Sequence, residues 1–152
     1  MAVLELKIYP LLVLLCCAFI NGVLANYFPA THFTTVLYFM WPGLLLCGLG
    51  LPLVGAWQFK QAQTTMQPND PSQTTELVTF GIYRFTRNPM YLGFALILLA
   101  QSCFLTNLYT LIGTVIFVVY IHRFQIIPEQ RMLLNHFGQV YSDYMQRVRP
   151  WI

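Results

Sequence analysis

Most of the side chains able to do chemistry fall in two short stretches. The first runs from Leu77 to Gly93 and crowds together Gly81, Tyr83, Arg84, Arg87, Asn88, Pro89, Tyr91 and Gly93. Asn88-Pro89 reads as a helix start: an asparagine side chain can accept from the free first-turn N–H groups, and proline has the backbone angle of a first helical residue. Arg87 then stands at a helix N-terminus, where unpaired N–H groups and the helix dipole already favour negative charge. A guanidinium there makes a receptor for a carboxylate or phosphate. Interfacial anchoring explains Tyr83, Tyr91, Arg84 and Arg87 one at a time. It does not explain their crowding, so the segment is a candidate anion or cofactor site.

The second stretch runs from Arg123 to Trp151. Pro128 is expected to kink or restart a helix there. Beyond it, Leu133, Leu134, Phe137, Val140, Tyr141, Tyr144 and Val148 recur at helical spacing, an amphipathic face interrupted or capped near Gly138. Such a face either lies on a bilayer surface or packs beneath a bundle. Glu129 stands apart from the pattern, because an acid just past an apolar span is costly unless paired or used.

The remaining elements must hold these stretches in place. The chain has 152 residues, enough for one domain, 57% of them hydrophobic and only 9% charged; a soluble domain carries roughly 25% charged residues. Eight basic and five acidic side chains cannot keep a globule of this size in water. That excludes a soluble enzyme, a disordered tail and an ordinary nucleic-acid binder. No Asp, Glu, Lys or Arg occurs between Lys7 and Lys60, room for two spans of about 20 residues. We place them at 9–25 and 35–57, with Asn26, Tyr27, Pro29, Thr31 and His32 in an uncharged loop between. Residues 88–122 are also uncharged, and as one helix would extend roughly 52 Å, beyond a hydrocarbon core of about 30 Å. The polar pair Thr106-Asn107 divides them into a hairpin, 89–105 and 108–122. The expected fold class is therefore all-α: a polytopic membrane protein of about four transmembrane helices, with an amphipathic helical tail over 123–152, all in one domain.

Four crossings put both termini on one side. Lys7, Lys60, Arg84, Arg87, Arg123, Arg131, Arg147 and Arg149 then share a compartment, which the positive-inside rule makes the cytoplasm. The polar linker 60–76, broken by Pro68 and Pro71, lies there too. Lys7, the apolar run and Val23-Leu24-Ala25 resemble a cleavable secretory signal, but Glu5 in the leading region favours a retained span. Cys16, Cys17, Cys47 and Cys103 fall inside apolar spans at no metal-binding or disulfide spacing; small buried hydrophobes and no metal are expected. Gly43, Gly48, Gly50 and Gly55 suit close helix packing, within the chain or in a homo-oligomer.

Together the two stretches resemble the small membrane methyltransferases, the superfamily of isoprenylcysteine carboxyl methyltransferases and phosphatidylethanolamine or phospholipid methyltransferases. The family pattern is G-x-Y-x-x-x-R-H-P-x-Y-x-G at a helix start, then a short hairpin, then E-E-x-x-L-x-x-x-F-G-x-x-Y-x-x-Y. Here the first block is Gly81, Tyr83, Arg87, Asn88, Pro89, Tyr91 and Gly93. The second is Glu129, Gln130, Leu133, Phe137, Gly138, Tyr141 and Tyr144. The match covers about residues 77–151, in the right order and separation. The resemblance implies S-adenosylmethionine held at the cytoplasmic face by Gly81, Tyr83, Arg87, Asn88, Pro89, Tyr91, Gln125, Glu129 and Gln130. In that arrangement the cofactor's carboxylate suits Arg87 and the Asn88 helix start, and its amine suits Glu129, while aromatic rings cover the adenine and sulfonium. Arg87 and Glu129 are the implied catalytic pair, orienting cofactor or acceptor. The implied acceptor is lipophilic, a small molecule or a lipidated group entering from the bilayer among membrane lipids.

Three residues depart from the family pattern. Asn88 replaces the usual His and cannot titrate, Gln130 replaces a second Glu, and Gln125 stands where relatives often carry Arg. Two other readings compete. A sterol-reductase-like NADPH oxidoreductase shares a similar helix start, but its Asp-Glu-x-Arg-Cys block is replaced here by Pro128-Glu129-Gln130-Arg131-Met132. A non-catalytic membrane interaction protein would fit the three departures and not the paired blocks.

Overall fold

The computed structural model describes residues 5–29, 35–62 and 77–152. Among these the secondary structure is helical throughout, without strands: α1 (Pro10–Tyr27), α2 (Thr35–Gln61), α3 (Pro89–Leu105), α4 (Leu111–Ile121), α5 (Ile127–Phe137) and α6 (Gln139–Arg147). Short 3-10 turns at Gly81–Arg84 and Leu108–Thr110 lead into α3 and α4, and a π-helical turn, His122–Ile126, joins α4 to α5. Three stretches are long and apolar enough to cross a bilayer: Pro10–Tyr27, Tyr38–Gln61 and Leu108–Phe137. The fourth apolar helix, α3, has 17 residues.

Helices α2 and α3 lie against each other at very short range, and small residues permit it. A Cβ added at Gly93 would stand 2.5 Å from Cδ of Pro52 and 2.6 Å from the Gly48 carbonyl oxygen. One at Gly48 would meet Ile97 at 2.8 Å. Gly55 makes room for Tyr83 and Pro89. Gly48 and Gly55 thus serve packing within the chain, whereas Gly43 and Gly50 face open space. Helix α1 packs on α3 and α4, burying Val13, Leu14 and Cys17 with Leu98, Phe117 and Ile121. Inside this apolar layer the fully buried Asn21 donates to Gln101 Oε1 at 3.2 Å, and Gln101 donates to the Ala18 carbonyl at 3.0 Å. With no water to compete, such a pair ties α1 to α3.

The break expected at Thr106-Asn107 is present. Thr106 adopts a left-handed conformation (φ 48°) that ends α3. Buried Asn107 closes the turn by donating to the Phe28 carbonyl at 3.0 Å and accepting from the Tyr109 N–H at 3.0 Å.

Pro128 restarts a helix as expected, in the first turn of α5, but the chain stays on a helical path throughout. Helix continues from Leu108 to Phe137, well past the boundary placed at 122. The π-helical turn explains this, for it widens the helix just where the proline ring would strike the carbonyl of Phe124, four residues back. That carbonyl, which Pro128 has no N–H to satisfy, accepts instead from the Leu6 N–H at 3.0 Å. Gln125 donates to the Ile8 carbonyl at 2.7 Å, and Glu5 bridges Arg123 and Arg131, each at 3.1 Å. Residues 5–9 therefore form a hook clasping the π-helical turn.

The amphipathic tail packs on itself and on the segment that precedes α3. Tyr141, Tyr144 and Val148 form a second apolar cluster with Leu77, Leu133 and Phe137, while Leu134 and Val140 stay exposed. The expected interruption falls at Gly138, whose φ of +54° separates α5 from α6. After α6 the chain turns back as a strap: Arg149 accepts from the Arg87 N–H at 3.1 Å, and Trp151 packs against the core of α1, α3 and α4.

Candidate active site

The two chemical stretches, separate in sequence, meet where α3 begins. The 3-10 turn Gly81–Arg84 is seated on α2 by Gln58, a buried side chain that accepts from the Ile82 N–H at 3.1 Å. Gly81 has φ +60°, and a Cβ there would lie 1.9 Å from Gln58 Nε2, so both conformation and space call for glycine. The turn buries Tyr83 edge-on against Phe59, ring centroids 5.3 Å apart. Tyr144, from α6, donates to the Tyr83 carbonyl at 2.7 Å and locks tail to turn.

Asn88 does not cap α3 through its side chain. Its Nδ2 donates to the Pro150 carbonyl at 2.9 Å, and Thr86 Oγ1 donates to the same oxygen at 3.3 Å. Capping would use Oδ1 as acceptor; donation through Nδ2 to the strap orients the amide instead. Asn88 is therefore a tether between the helix start and the C-terminus, and the first-turn N–H groups of α3 receive no side-chain cap. Pro89 is buried against Gly55, as a first-turn residue with no N–H to lose.

Arg87 lies one residue before this tether, half-buried. Its Nε and Nη1 are out of contact with solvent and have no hydrogen-bond partner among the described residues. Buried donors normally find acceptors, so two orphaned donors on one guanidinium could hold an anion. Glu129 faces this region from α5, where the Tyr91 hydroxyl donates to its Oε1. Its Oε2 receives no hydrogen bond from another described residue. Four tyrosines complete the surroundings: Tyr83 and Tyr91 from the first stretch, Tyr141 and Tyr144 from the second. Burial pushes the Tyr141 phenol up to about 12, with the Arg87 guanidinium pulling it back and Glu129 pushing it further. Burial likewise raises Tyr83 and Tyr144 above the ordinary tyrosine range. At neutral pH these are uncharged hydroxyls on aromatic faces, suited to enclosing a cationic or heteroaromatic ligand.

Not every expected residue joins this group. Arg87, Glu129, Tyr83 and Tyr91 converge; Gly81, Asn88 and Pro89 shape the backbone around them. Gln125 is buried in the π-helical turn, where its Nε2 donates to the Ile8 carbonyl in the hook, while its Oε1 is buried without a hydrogen-bond partner among the described residues. Gln130 is half-buried beside Glu129, and its side chain makes no hydrogen bond with another described residue. Residues that the motifs did not single out include Gln58, Thr86, the carbonyls of Arg149 and Pro150, and Trp151, whose Nε1 approaches His122 Nδ1 at 3.4 Å. The only advance signal was Gln58, a polar side chain at the end of an apolar run. The linker lies mostly outside the described residues.

The donor set suits a zwitterionic ligand: orphaned guanidinium nitrogens for a carboxylate, a carboxylate for an ammonium, and aromatic faces around them. Comparison with known proteins identifies a family. The phospholipid methyltransferase family profile matches residues 36–140. An uncharacterized protein of Haemophilus influenzae is 43% identical over 63 residues, 41% of this chain and 100% of that protein. Protein-S-isoprenylcysteine O-methyltransferase of Schizosaccharomyces pombe is 33% identical over 75 residues, 47% of this chain. The match spans 30% of that enzyme's length. No solved structure matches the chain.

Proposed function

The chain belongs to the phospholipid methyltransferase family, and from that premise we propose that it transfers a methyl group from S-adenosylmethionine to a lipophilic acceptor at the cytoplasmic face of a membrane. The observation that carries this reading is that Arg87, with two buried and unpartnered donors, and Glu129, held by Tyr91, both stand close enough to Tyr141 to act on its hydroxyl. When bound, the cofactor supplies an activated methyl group on a sulfonium. Arg87 binds its carboxylate, Glu129 its ammonium, and the rings of Tyr83, Tyr91, Tyr141 and Tyr144 exclude water from the reacting centre. Alignment and dryness are the protein's main contributions to such a transfer.

In this reading the chain crosses the bilayer four times. α1, α2 and the hairpin α3–α4 are the crossings, both termini are cytoplasmic, and α3 crosses despite its 17 residues. The apolar part of Leu108–Phe137 ends near Pro128, which brings Glu129 to the interface. The acceptor, an isoprenylcysteine-like carboxylate or a lipid head group, reaches the site sideways from the bilayer. Its own chemistry decides whether a base is required. The test is calorimetric titration of the purified chain in detergent with S-adenosylmethionine, S-adenosylhomocysteine and, as control, NADPH. Micromolar binding of the adenosyl ligands alone is expected. Absence of such binding in folded protein would overturn the proposal, and NADPH binding would turn it towards an oxidoreductase.

A further inference from the structure

A cleft separate from Arg87 opens between the 3-10 turn and the end of α6. It has a volume of about 250 Å³ and is lined by Thr79, Arg84, Arg147 and Val148. Two guanidiniums from distant parts of the sequence thus face one small space. Among the described residues neither has a carboxylate within 4 Å; the ion pairs there all belong to Glu5. Arg147 spends its Nε on the Asp143 carbonyl at 3.2 Å, complementing the α6 C-terminus, and its terminal nitrogens remain for other acceptors. The Arg84 side chain makes no hydrogen bond to another described residue. Like charges across one cleft repel, and an anion between them converts that repulsion into two charge-assisted contacts.

The surroundings identify the source of the anion. Phe80 and Phe85 bracket the turn that carries Arg84, and Phe85 is 77% exposed. Exposed aromatics flanking basic residues, just before an apolar helix begins at Pro89, belong at the level of lipid head groups. We propose that this cleft binds the phosphate of an anionic phospholipid, gripped by Arg84 and Arg147 with the Thr79 hydroxyl as a third donor. This lipid is a ligand of the fold, held apart from Arg87 and Glu129, and its binding is independent of methyl transfer.

The test titrates the purified full chain in detergent with short-chain phosphatidylglycerol, phosphatidylcholine of the same chain length, and inorganic phosphate. Tighter binding of phosphatidylglycerol is expected, weakened by salt, with a loss of about fivefold in each of Arg84→Gln and Arg147→Gln and about 25-fold in the double variant. Both side chains are exposed, so an unchanged unfolding temperature checks that the variants are folded. Salt sensitivity of phosphatidylglycerol binding to the unaltered chain provides a reading that needs no variant. Equal affinity for the two lipids, or full affinity in the double variant, would overturn the site. Inorganic phosphate binding as tightly as phosphatidylglycerol would overturn the lipid assignment.

Discussion

Tyr91 on α3 and Glu129 on α5, 38 residues apart, are joined by a hydrogen bond from the phenol to the carboxylate. Together with the hydrogen bond from Tyr144 to the Tyr83 carbonyl, this contact fastens one family block to the other. It sits on two helices whose positions are set independently, α3 by its packing on α2 and α5 by the hook at the π-helical turn. The carboxylate is therefore aimed before any ligand arrives.

Removing the hydroxyl should loosen that aim while leaving the ring in place. Tyr91→Phe is expected to lower S-adenosylmethionine affinity about tenfold, the size of a hydrogen bond to a charged group. Calorimetry measures it, and unchanged affinity would separate the contact from the ligand.

Arg87→Ala should weaken cofactor binding more, by about a hundredfold, because both orphaned nitrogens are removed. Arg87→Lys should recover only part of this, since an ammonium cannot reproduce the planar fork. Glu129→Ala should also weaken binding strongly. Wild-type affinity in both Arg87→Ala and Glu129→Ala would remove the site from this pair of residues.

Packing between α2 and α3 admits no extra atom. Gly93→Ala puts a methyl group against the Pro52 ring and the Gly48 carbonyl, both held by helix backbone. A loss of about 1–3 kcal/mol is expected, read as a lowered unfolding temperature in detergent. Gly50→Ala, with open space around it, should leave that temperature nearly unchanged.

The hook has a pH signature. Desolvation alone would raise the Glu5 carboxyl, but Arg123 and Arg131 more than offset it and hold the group below its usual value. Its folded-state value being depressed, Glu5 stabilises the protein above its unfolded value of about 4.3, and that contribution is lost as pH falls through the lower folded value. The unfolding temperature of Glu5→Gln should thus lie below that of the unaltered chain at neutral pH and converge with it in acid. Parallel curves at all pH values would show that the ion pairs contribute nothing.

Topology is open to labelling. With the native cysteines replaced, single cysteines at positions 69 and 146 should react with an impermeant maleimide added from the cytoplasmic side. Reaction of either from the opposite side would overturn the orientation.

Much of this was legible in the sequence. Long uncharged runs mark apolar helices because a bilayer admits little else, and Thr106-Asn107 and Gly138 mark turns through local backbone chemistry. The paired blocks named the family for the same reason: their residues are close in sequence, and their spacing survives in any fold that uses them. Tertiary structure decided the rest. A capping amide at Asn88 is the local expectation, yet a carbonyl from Pro150, 62 residues away, claims it. Pro128 is expected to kink or restart its helix and does restart it, but only the fold supplies the π-helical turn that absorbs the ring and the Leu6 N–H that takes up the freed carbonyl. Gln125 sits beside the second block, yet its Nε2 is taken by the Ile8 carbonyl of the hook, 117 residues away. A sequence shows which groups can bond and how its local backbone turns; which partner each group finds depends on what the fold brings within three ångströms.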